Sequence, residues 1–445
     1  MFWVWLKFYR WTKLSTQKPQ SFGKLTVPGM SDYFILLQMK SKYIMQKVLK
    51  KILNVPNRFE REWYGRVILT GHVRKSHQNW KEAGATELLN LRQKTLAYVE
   101  SNHKSEISMG AYSYKPGGPP LLYASCYAAL VRHLYGDLDS LSASERMEWV
   151  TYIQKHQSND GLYRDPSIAC TRAEQMDWWG WRHLTLHVLM ALSALGGVVE
   201  KPFKLLDQFR KPGNMGYWLE TRNWEHEPTS VSNEVQNYAT MLQYDRDFHD
   251  EKWCDNALSE LYVWLDQHQD PKTGLWWNHF DTPQLLSRGV RTGYHLWLLY
   301  FYDQRPIQYI EQIIDSCLAS QNRLGGFDVQ LNSSACEDID SIDPLVRLFF
   351  QTDYRRDDIR KALERALPWV LTNINPEGGW VFRRHERFWL HELMDTGNDE
   401  ASMFPTWFRS LSLAFIAQVL KGNEISKINW RFLSAPGHQF WINRH

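Results

Sequence analysis

Apolar residues recur with helical spacing along most of the chain, in two kinds of stretch that alternate. One kind keeps a charged face, as in residues 357–367, which read Asp-Asp-Ile-Arg-Lys-Ala-Leu-Glu-Arg-Ala-Leu. The other is apolar on nearly every side, as in residues 184–195, which read Leu-Thr-Leu-His-Val-Leu-Met-Ala-Leu-Ser-Ala-Leu. A helix with a charged face lies against solvent, and a helix that is apolar all round is buried. The pattern therefore predicts outer and inner helices in alternation.

We predict six outer and inner pairs after an N-terminal region of about 85 residues. The outer helices are expected near 86–104, 142–157, 201–211, 250–268, 306–320 and 355–373, and the inner helices near 120–135, 181–196, 230–244, 289–303, 341–351 and 401–421. Six such pairs close most naturally into an all-α (α/α)6 barrel, because the inner helices are then covered on every side. The expected domains are a partly helical N-terminal extension, 1–85, the barrel, 86–425, and a C-terminal tail, 426–445.

A short phrase recurs at the ends of four predicted outer helices. It consists of a glutamine or asparagine, a few polar residues, a glycine, one further residue and an aromatic ring. The copies are Gln157–Tyr163, Gln269–Trp276, Gln321–Phe327 and Asn373–Trp380. Recurrence at an interval of roughly fifty to sixty residues indicates a repeat architecture built from helix pairs.

The composition excludes several classes of protein. The formal charge of +3 is small for 445 residues, and Lys and Arg are scattered, so the chain lacks the electrostatic footprint of a nucleic-acid binder. The five cysteines are odd in number and never spaced as Cys-x-x-Cys, which argues against a disulfide framework or a four-cysteine zinc site. A reducing compartment, most simply the cytoplasm, fits best.

The N-terminus is aromatic and basic. Met1–Leu6 is apolar, but Lys7 and Arg10 interrupt the run, so it is too short for a signal-peptide core or a membrane span. Such a segment could rest on a membrane surface. The other interpretation is a disordered leader before Met30. We therefore expect a cytoplasmic protein with, at most, peripheral membrane contact.

The four phrases resemble the QW repeats of the squalene and oxidosqualene cyclases and of the related protein prenyltransferase β subunits. The resemblance covers about residues 90–420. It implies an α/α barrel, in which the glutamine bonds backbone groups at a helix end, the glycine allows the turn, and the ring packs over the next helix. It says little about the reaction, because these loops are structural.

The acidic segment Cys336–Arg347 resembles the Asp-x-Asp-Asp-Thr-Ala motif of class II terpene cyclases, which is followed by an arginine. Asp338 matches the first aspartate, Asp340 matches the middle one, and Ser341 stands where the family has the last. The resemblance makes Asp340 the candidate general acid that protonates an alkene or epoxide. The like charges of Asp338 and Asp343, the other two candidate catalytic residues, are expected to raise the pKa of Asp340.

Candidate substrate-binding residues lie near the predicted starts of the inner helices, which face one mouth of the barrel. Aromatic faces there would stabilise a cationic intermediate, and a histidine or arginine would offset the charge of the carboxylates. The candidates are Trp178, Arg182, His183, Glu234, Asn237, Arg291, Tyr294, His295 and Trp407.

The acidic segment also allows structural and metal-binding interpretations. Asp343 followed by Pro344 is a good N-cap and first-turn pair, so the helix could begin there and leave Asp338 and Asp340 in a solvated loop. The three aspartates could instead hold Mg²⁺ or Ca²⁺. Cys336 and Asp338 could imitate a prenyltransferase zinc site, although the expected histidine is missing from the last inner helix. We predict no metal ligands and keep Mg²⁺ as an optional cofactor.

Two other functions compete with the cyclase. Barrels of this class also bind glycans, and Glu234 with Asp340 could act as acid and base in glycan hydrolysis or elimination. The chain could also be a non-catalytic barrel that binds a lipid or a glycan, because fold alone does not decide function. We expect a terpenoid cyclase-like isomerase or lyase with an isoprenoid or other lipid-like partner, and a homo-oligomer is an option because a second chain could cap the cavity.

Overall fold

The computed structural model describes residues 64–168, 171–277 and 280–442. The chain divides into two compact units, Met1–Glu62 and Trp63–His445, and the described residues belong to the second. The predicted N-terminal membrane contact therefore lies outside them, as does most of the predicted extension. None of the helices in these ranges combines the length and the hydropathy needed to cross a bilayer.

Helices dominate the regular secondary structure of the described residues, and the two short strands form a single hairpin, which confirms the predicted all-α class. The hairpin pairs β1 (Phe388–Trp389) antiparallel with β2 (Asp395–Thr396). The helices are α1 Thr70–Ser101, α2 Leu122–Leu134, α3 Ala143–Gln154, α4 Trp181–Leu195, α5 Asn214–Glu220, α6 Pro228–Phe248, α7 Cys254–His268, α8 Pro283–Tyr302, α9 Ile310–Ala319, α10 Ala335–Phe349, α11 Arg356–Leu371 and α12 Met403–Val419. The even-numbered helices are the predicted inner set, and most of their residues are buried.

Several helix predictions need correction. The third outer helix, expected at 201–211, is a 3-10 turn at Lys204–Phe209 followed by the separate helix α5, because Gly213 adopts φ 88° between them. The inner helices expected at 289–303 and 341–351 begin earlier, at Pro283 and Ala335. In addition, α1 begins at Thr70 and runs through the boundary expected between residues 85 and 86.

A capping box explains the early start of α10. The Ser334 hydroxyl accepts a hydrogen bond from the Glu337 N–H, and the Glu337 carboxylate accepts one from the Ser334 N–H at 2.7 Å. These two bonds satisfy backbone donors at the helix end. Pro344 lies inside the helix, so the interpretation that placed Asp338 and Asp340 in a solvated loop before Asp343 is wrong.

The inner helices contact one another in a cyclic order. Each even-numbered helix packs against the next, from α2 to α12, and α12 packs against α2. The odd-numbered helices cover this set from outside, and α11 also contacts α1. Every inner helix therefore has two inner neighbours and an outer cover, which accounts for its lack of a polar face.

The recurring phrases join the outer layer together. In the first copy the Gln157 side-chain N–H group donates to the Gly161 carbonyl at 2.9 Å and to the Lys201 carbonyl at 2.8 Å. In the last copy Gly378 adopts φ 95°, and a Cβ there would lie 2.1 Å from the Lys94 carbonyl oxygen of α1. Only glycine fits such an approach without strain. The last copy thus ties the end of α11 to α1.

Candidate functional site

The four polar residues of α10 that face the space enclosed by the inner helices are Cys336, Asp340, Asp343 and Arg347. Their spacing of four, three and four residues places them along one face of the helix. Asp338 points away from this face, toward α12. The three aspartates of the acidic segment therefore have different surroundings.

Asp338 is an internal hydrogen-bond acceptor. It accepts from the Phe327 N–H at 2.8 Å, the Ser333 hydroxyl at 2.7 Å and the Trp369 indole N–H at 2.8 Å, and it pairs with Arg409. Neither side chain of the ion pair retains exposed surface. With its acceptor positions occupied, this carboxylate is suited to holding the structure rather than to donating a proton.

Other inner helices use threonine where α10 uses Asp338. The Thr185 hydroxyl accepts from the Tyr163 N–H at 3.0 Å, and the Thr406 hydroxyl accepts from the Trp380 N–H at 3.1 Å. In each case the donor is the aromatic residue of a recurring phrase, as Phe327 is for Asp338. The first aspartate of the acidic motif thus occupies a structural position of the repeat.

Asp343 is paired within the enclosed space. Its carboxylate accepts hydrogen bonds from Arg347 and from the Tyr294 hydroxyl, the latter at 3.4 Å. Burial raises the pKa of Asp343 to about 6, and Arg347 opposes a larger rise. The Arg347 guanidinium also donates to the Phe440 carbonyl at 2.9 Å.

Asp340 has a different environment from its two neighbours. Within the described residues no group donates a hydrogen bond to its carboxyl, and the residue is only 4% exposed. Burial raises the pKa of Asp340 well above its usual value, while Arg291 opposes the rise. The like charges of Glu337, Asp338 and Asp343 add to it, as the sequence predicts. Burial therefore favours the neutral, protonated form of Asp340.

Three histidines of inner helices share one tautomer. The Tyr123 hydroxyl donates to a carbonyl, so it accepts from His183 Nδ1 at 2.9 Å; the Ser232 hydroxyl does the same for His295 Nδ1 at 2.9 Å. His187 Nδ1 donates to the His183 carbonyl at 2.7 Å. Each ring therefore carries its proton on Nδ1 and presents a bare Nε2.

Burial keeps these imidazoles uncharged. It lowers the pKa of His187 to about 4, that of His295 to about 3, and that of His183 well below its usual value. Among the described residues, none forms a hydrogen bond with the Nε2 atom of His187, which is fully buried. His183 and His295 keep some exposed surface and are available as neutral bases or as acceptors for a ligand.

We use the name interior recess for the part of the enclosed space next to these groups, and we define it by Tyr127, His183, His295, Cys336, Asp340 and Phe404. Although they lie on inner helices, His183, His295 and Cys336 remain partly exposed. Aromatic rings surround His187, with the Trp407 centroid at 5.3 Å and the Tyr127 centroid at 5.3 Å. The recess thus combines one carboxyl, the two imidazoles of His183 and His295, and aromatic rings.

Several predicted binding residues lie in a separate polar cluster around Asp177. Arg182 donates two hydrogen bonds to the Asp177 carboxylate, at 2.7 and 2.8 Å, and Asn237 donates to the Asp177 carbonyl at 2.8 Å. Glu234 pairs with Arg222 at 3.3 Å. The charges that shift the pKa of Glu234 belong to this cluster and do not include Asp340. The structure therefore gives no support to Glu234 and Asp340 as an acid and base pair.

The remaining predicted residues divide between the recess and its surroundings. Tyr294 and Trp407 are buried in the enclosed space, next to His438. Arg291 lies 3.5 Å from Glu337, a carboxylate that Arg383 already holds at 2.6 Å. Trp178 packs edge-on against Trp179.

Sequence reasoning missed His187, Tyr127 and His438 as site residues. A pair of signals was present for the first two, because His183 with His187 and Tyr123 with Tyr127 are spaced four residues apart on apolar helices. For His438 the sequence offers no local signal.

In the ranges that the structure describes, no cluster of three or more His, Cys, Asp or Glu side chains has the geometry to hold a metal ion. The acidic segment illustrates the reason, because its carboxylates diverge toward Arg409, Arg347 and the recess. Comparison with protein-family models and with curated proteins gives no match to this chain.

Proposed function

We propose that the chain is an (α/α)6 barrel of the terpenoid cyclase type and that Asp340 starts the cyclisation of an isoprenoid by protonating an alkene or epoxide. The cyclic contacts of the inner helices and the QW-like phrases support the barrel. One observation carries the function: Asp340 is a buried carboxyl on the inward face of α10, it has no hydrogen-bond partner among the described residues, and burial favours its neutral form.

The proposed reaction is an isomerisation that needs no oxidant or reductant. The Asp340 proton is transferred to a substrate carbon or epoxide oxygen, and alkene π electrons form the new carbon–carbon bonds. The final cation loses a proton from carbon to the bare Nε2 of His183 or His295. Solvent then carries a proton from the imidazolium back to the Asp340 carboxylate. Acid and base groups with these protonation states each contribute typically 10²–10⁴ in rate.

The aromatic walls fit the cationic intermediates. The Tyr127 ring lies 5.6 Å from Trp407 and 5.5 Å from Phe404, measured between centroids. Ring faces attract a cation without reacting with it, so they prolong its lifetime long enough for ring closure. The expected ligand is an isoprenoid, and no bound metal enters the proposed steps.

A second candidate is supported by the same histidines. The bare Nε2 atoms of His183 and His295 would accept hydrogen bonds from hydroxyl groups, which favours a glycan ligand. Asp340 would then act as the acid of a hydrolase or lyase, with a histidine as base in place of Glu234. A barrel that binds either ligand without turnover is the remaining option.

The test compares the wild type with Asp340→Asn. Each protein is incubated with squalene and with linear prenyl diphosphates of several lengths, with and without Mg²⁺, and the extracts are analysed for cyclised products. Asp255→Asn, an exposed change on α7, is the matched control. We expect a product from the wild type and the control, and a loss of roughly 10²-fold or more in Asp340→Asn.

Three outcomes would contradict the proposal. Equal product from Asp340→Asn would remove this residue from the chemistry. Absence of product from every isoprenoid, together with release of new reducing ends from an oligosaccharide panel, would select the glycan enzyme. Absence of turnover on both panels would select the binding protein.

A further inference from the structure

The C-terminal segment, defined as Leu433–Ile442, folds back on itself. The Leu433 N–H donates to the Gln439 carbonyl at 2.8 Å, and the Trp441 N–H donates to the Leu433 carbonyl at 3.2 Å. The loop turns at Gly437, where φ is 131° and a Cβ would lie 2.6 Å from the Met190 sulfur. A residue other than glycine fits poorly there. The segment is thus a closed loop whose tip is pressed against α4.

This loop contacts every inner helix. Its residues His438, Gln439 and Phe440 form hydrogen bonds with one residue from each helix of the set, which from α2 to α12 are Leu130, Met190, Gln236, Tyr294, Arg347 and Trp407. The shortest of these bonds joins the Trp407 indole N–H to the Gln439 side-chain oxygen at 2.7 Å. The inner helices therefore surround the segment, which closes the enclosed space at this depth.

His438 follows the Gly437 turn, and its ring packs beside His187 and Trp407. Its ring centroid is 6.1 Å from that of His187 and 5.9 Å from that of Trp407. The Gln236 amide N–H donates to Nε2 at 3.3 Å, so Nδ1 carries the proton and donates to the Tyr294 hydroxyl at 3.3 Å. Both ring nitrogens are engaged. The ring therefore presents no free donor or acceptor to a ligand.

The C-terminal segment also contributes to a cavity of its own. This cavity of about 480 Å³ lies at the C-terminal ends of α6 and α8, beside the outer helix α7, and Ser434 and Ile442 of the segment form part of its wall. Because α7 supplies part of the lining, the cavity is separate from the space that the inner helices enclose.

We infer that the C-terminal segment is the floor of the ligand site and that His438 determines the length of chain the recess accepts. A chain that enters past Asp340 and the bare imidazoles ends against His438, Trp407 and Phe408. These groups offer ring faces and no unsatisfied polar atom, so the end of the ligand that reaches them is apolar. The inference rests on the proposed function in taking the ligand to be an isoprenoid.

The test measures the affinities of geraniol, farnesol and geranylgeraniol for the full chain and its variants, by quenching of tryptophan fluorescence. His438→Gly removes the floor ring, and His438→Phe keeps a ring of similar size. His385→Gly is the matched control, because it removes the same atoms from an exposed loop position with φ 59°. Thermal unfolding establishes that each variant is folded, and His438→Ala replaces His438→Gly if the latter is not.

We expect the wild type, His438→Phe and His385→Gly to share one order of preference, and His438→Gly to prefer a longer alcohol. Each additional buried methylene adds roughly four-fold to affinity, so two that newly fit give roughly fifteen-fold. If His438→Gly ranks the three alcohols in the same order as the wild type, the C-terminal segment is not the floor of the site, while the cyclase proposal is unaffected. Failure of the wild type to bind any alcohol would overturn both. If Asp340→Asn binds the alcohols like the wild type but forms no product, the role of the C-terminal segment as the floor is unaffected.

Discussion

Replacement of aspartate by asparagine should lower the free energy of unfolding strongly at Asp338 but not at Asp340. Asp338→Asn and Asp340→Asn each replace one carboxylate oxygen by an NH₂ group. The two positions are two residues apart on the same helix. In the first case the variant leaves the guanidinium of Arg409, which has no exposed side-chain surface, without its counter-charge. In the second case no hydrogen bond is lost within the described residues.

The magnitude for Asp338→Asn follows from its contacts. Removing one partner of a buried ion pair lowers the free energy of unfolding by about 3–5 kcal/mol, because the other charge stays buried without compensation. The new amide N–H₂ group must also face one of the donors from Phe327, Ser333 or Trp369, where it can accept nothing. A domain is stable by about 5–15 kcal/mol, so the loss is a large share of the total.

The expectation for Asp340→Asn has a pH dependence. Its folded-state pKa lies above the ordinary value of 3.8, so the acid stabilises the fold fully below that value, and this contribution is lost as pH rises through the folded-state pKa. The asparagine does not titrate. Asp340→Asn should therefore lie within about 1 kcal/mol of the wild type in acid and become the more stable protein as pH rises.

Urea unfolding of the two variants, with Asp255→Asn as a surface control, checks the reasoning. The free energy of unfolding is obtained at neutral pH and at about pH 5, with the slope on urea compared to confirm that the same transition is observed. A loss of less than about 1 kcal/mol in Asp338→Asn, or a larger loss in Asp340→Asn than in Asp338→Asn, would refute the assignment of structural and chemical roles.

Two further predictions concern the repeat and the histidines. Gly378→Ala should destabilise the fold by roughly 3 kcal/mol or more, because it places a Cβ against the Lys94 carbonyl at a left-handed φ. The control Gly216→Ala, in α5, should be neutral or stabilising, because its Cβ meets nothing within 4 Å. Thermal unfolding compares the two variants, and equal effects would contradict the contact between the last repeat and α1. The His187 pKa of about 4 lies below its ordinary 6.5, so stability is lost as pH falls through this window, and His187→Asn should remove about 2 kcal/mol of the loss between neutral pH and about pH 5. An unchanged slope of unfolding free energy against pH would show that His187 is not held neutral by the fold.

The sequence by itself determined the helices, their alternation and the turns between them. Apolar periodicity and the recurring phrases are local signals, and they predict most helix ends to within a few residues. Neighbouring residues also determine the start of α10, since Ser334 and Glu337 form a capping box. The prediction placed this start too late because Asp343–Pro344 offers a competing first-turn signal.

Only the tertiary structure decided which acid is free and what closes the site. Asp338 and Asp340 are alike in sequence, but the partner that satisfies Asp338 is Arg409 on another helix, 71 residues away. His438 belongs to a short segment without helical periodicity, and its position depends on hydrogen bonds with six helices at once. Hydrogen-bond satisfaction and burial depend on which distant groups meet, whereas helix formation depends on neighbours along the chain.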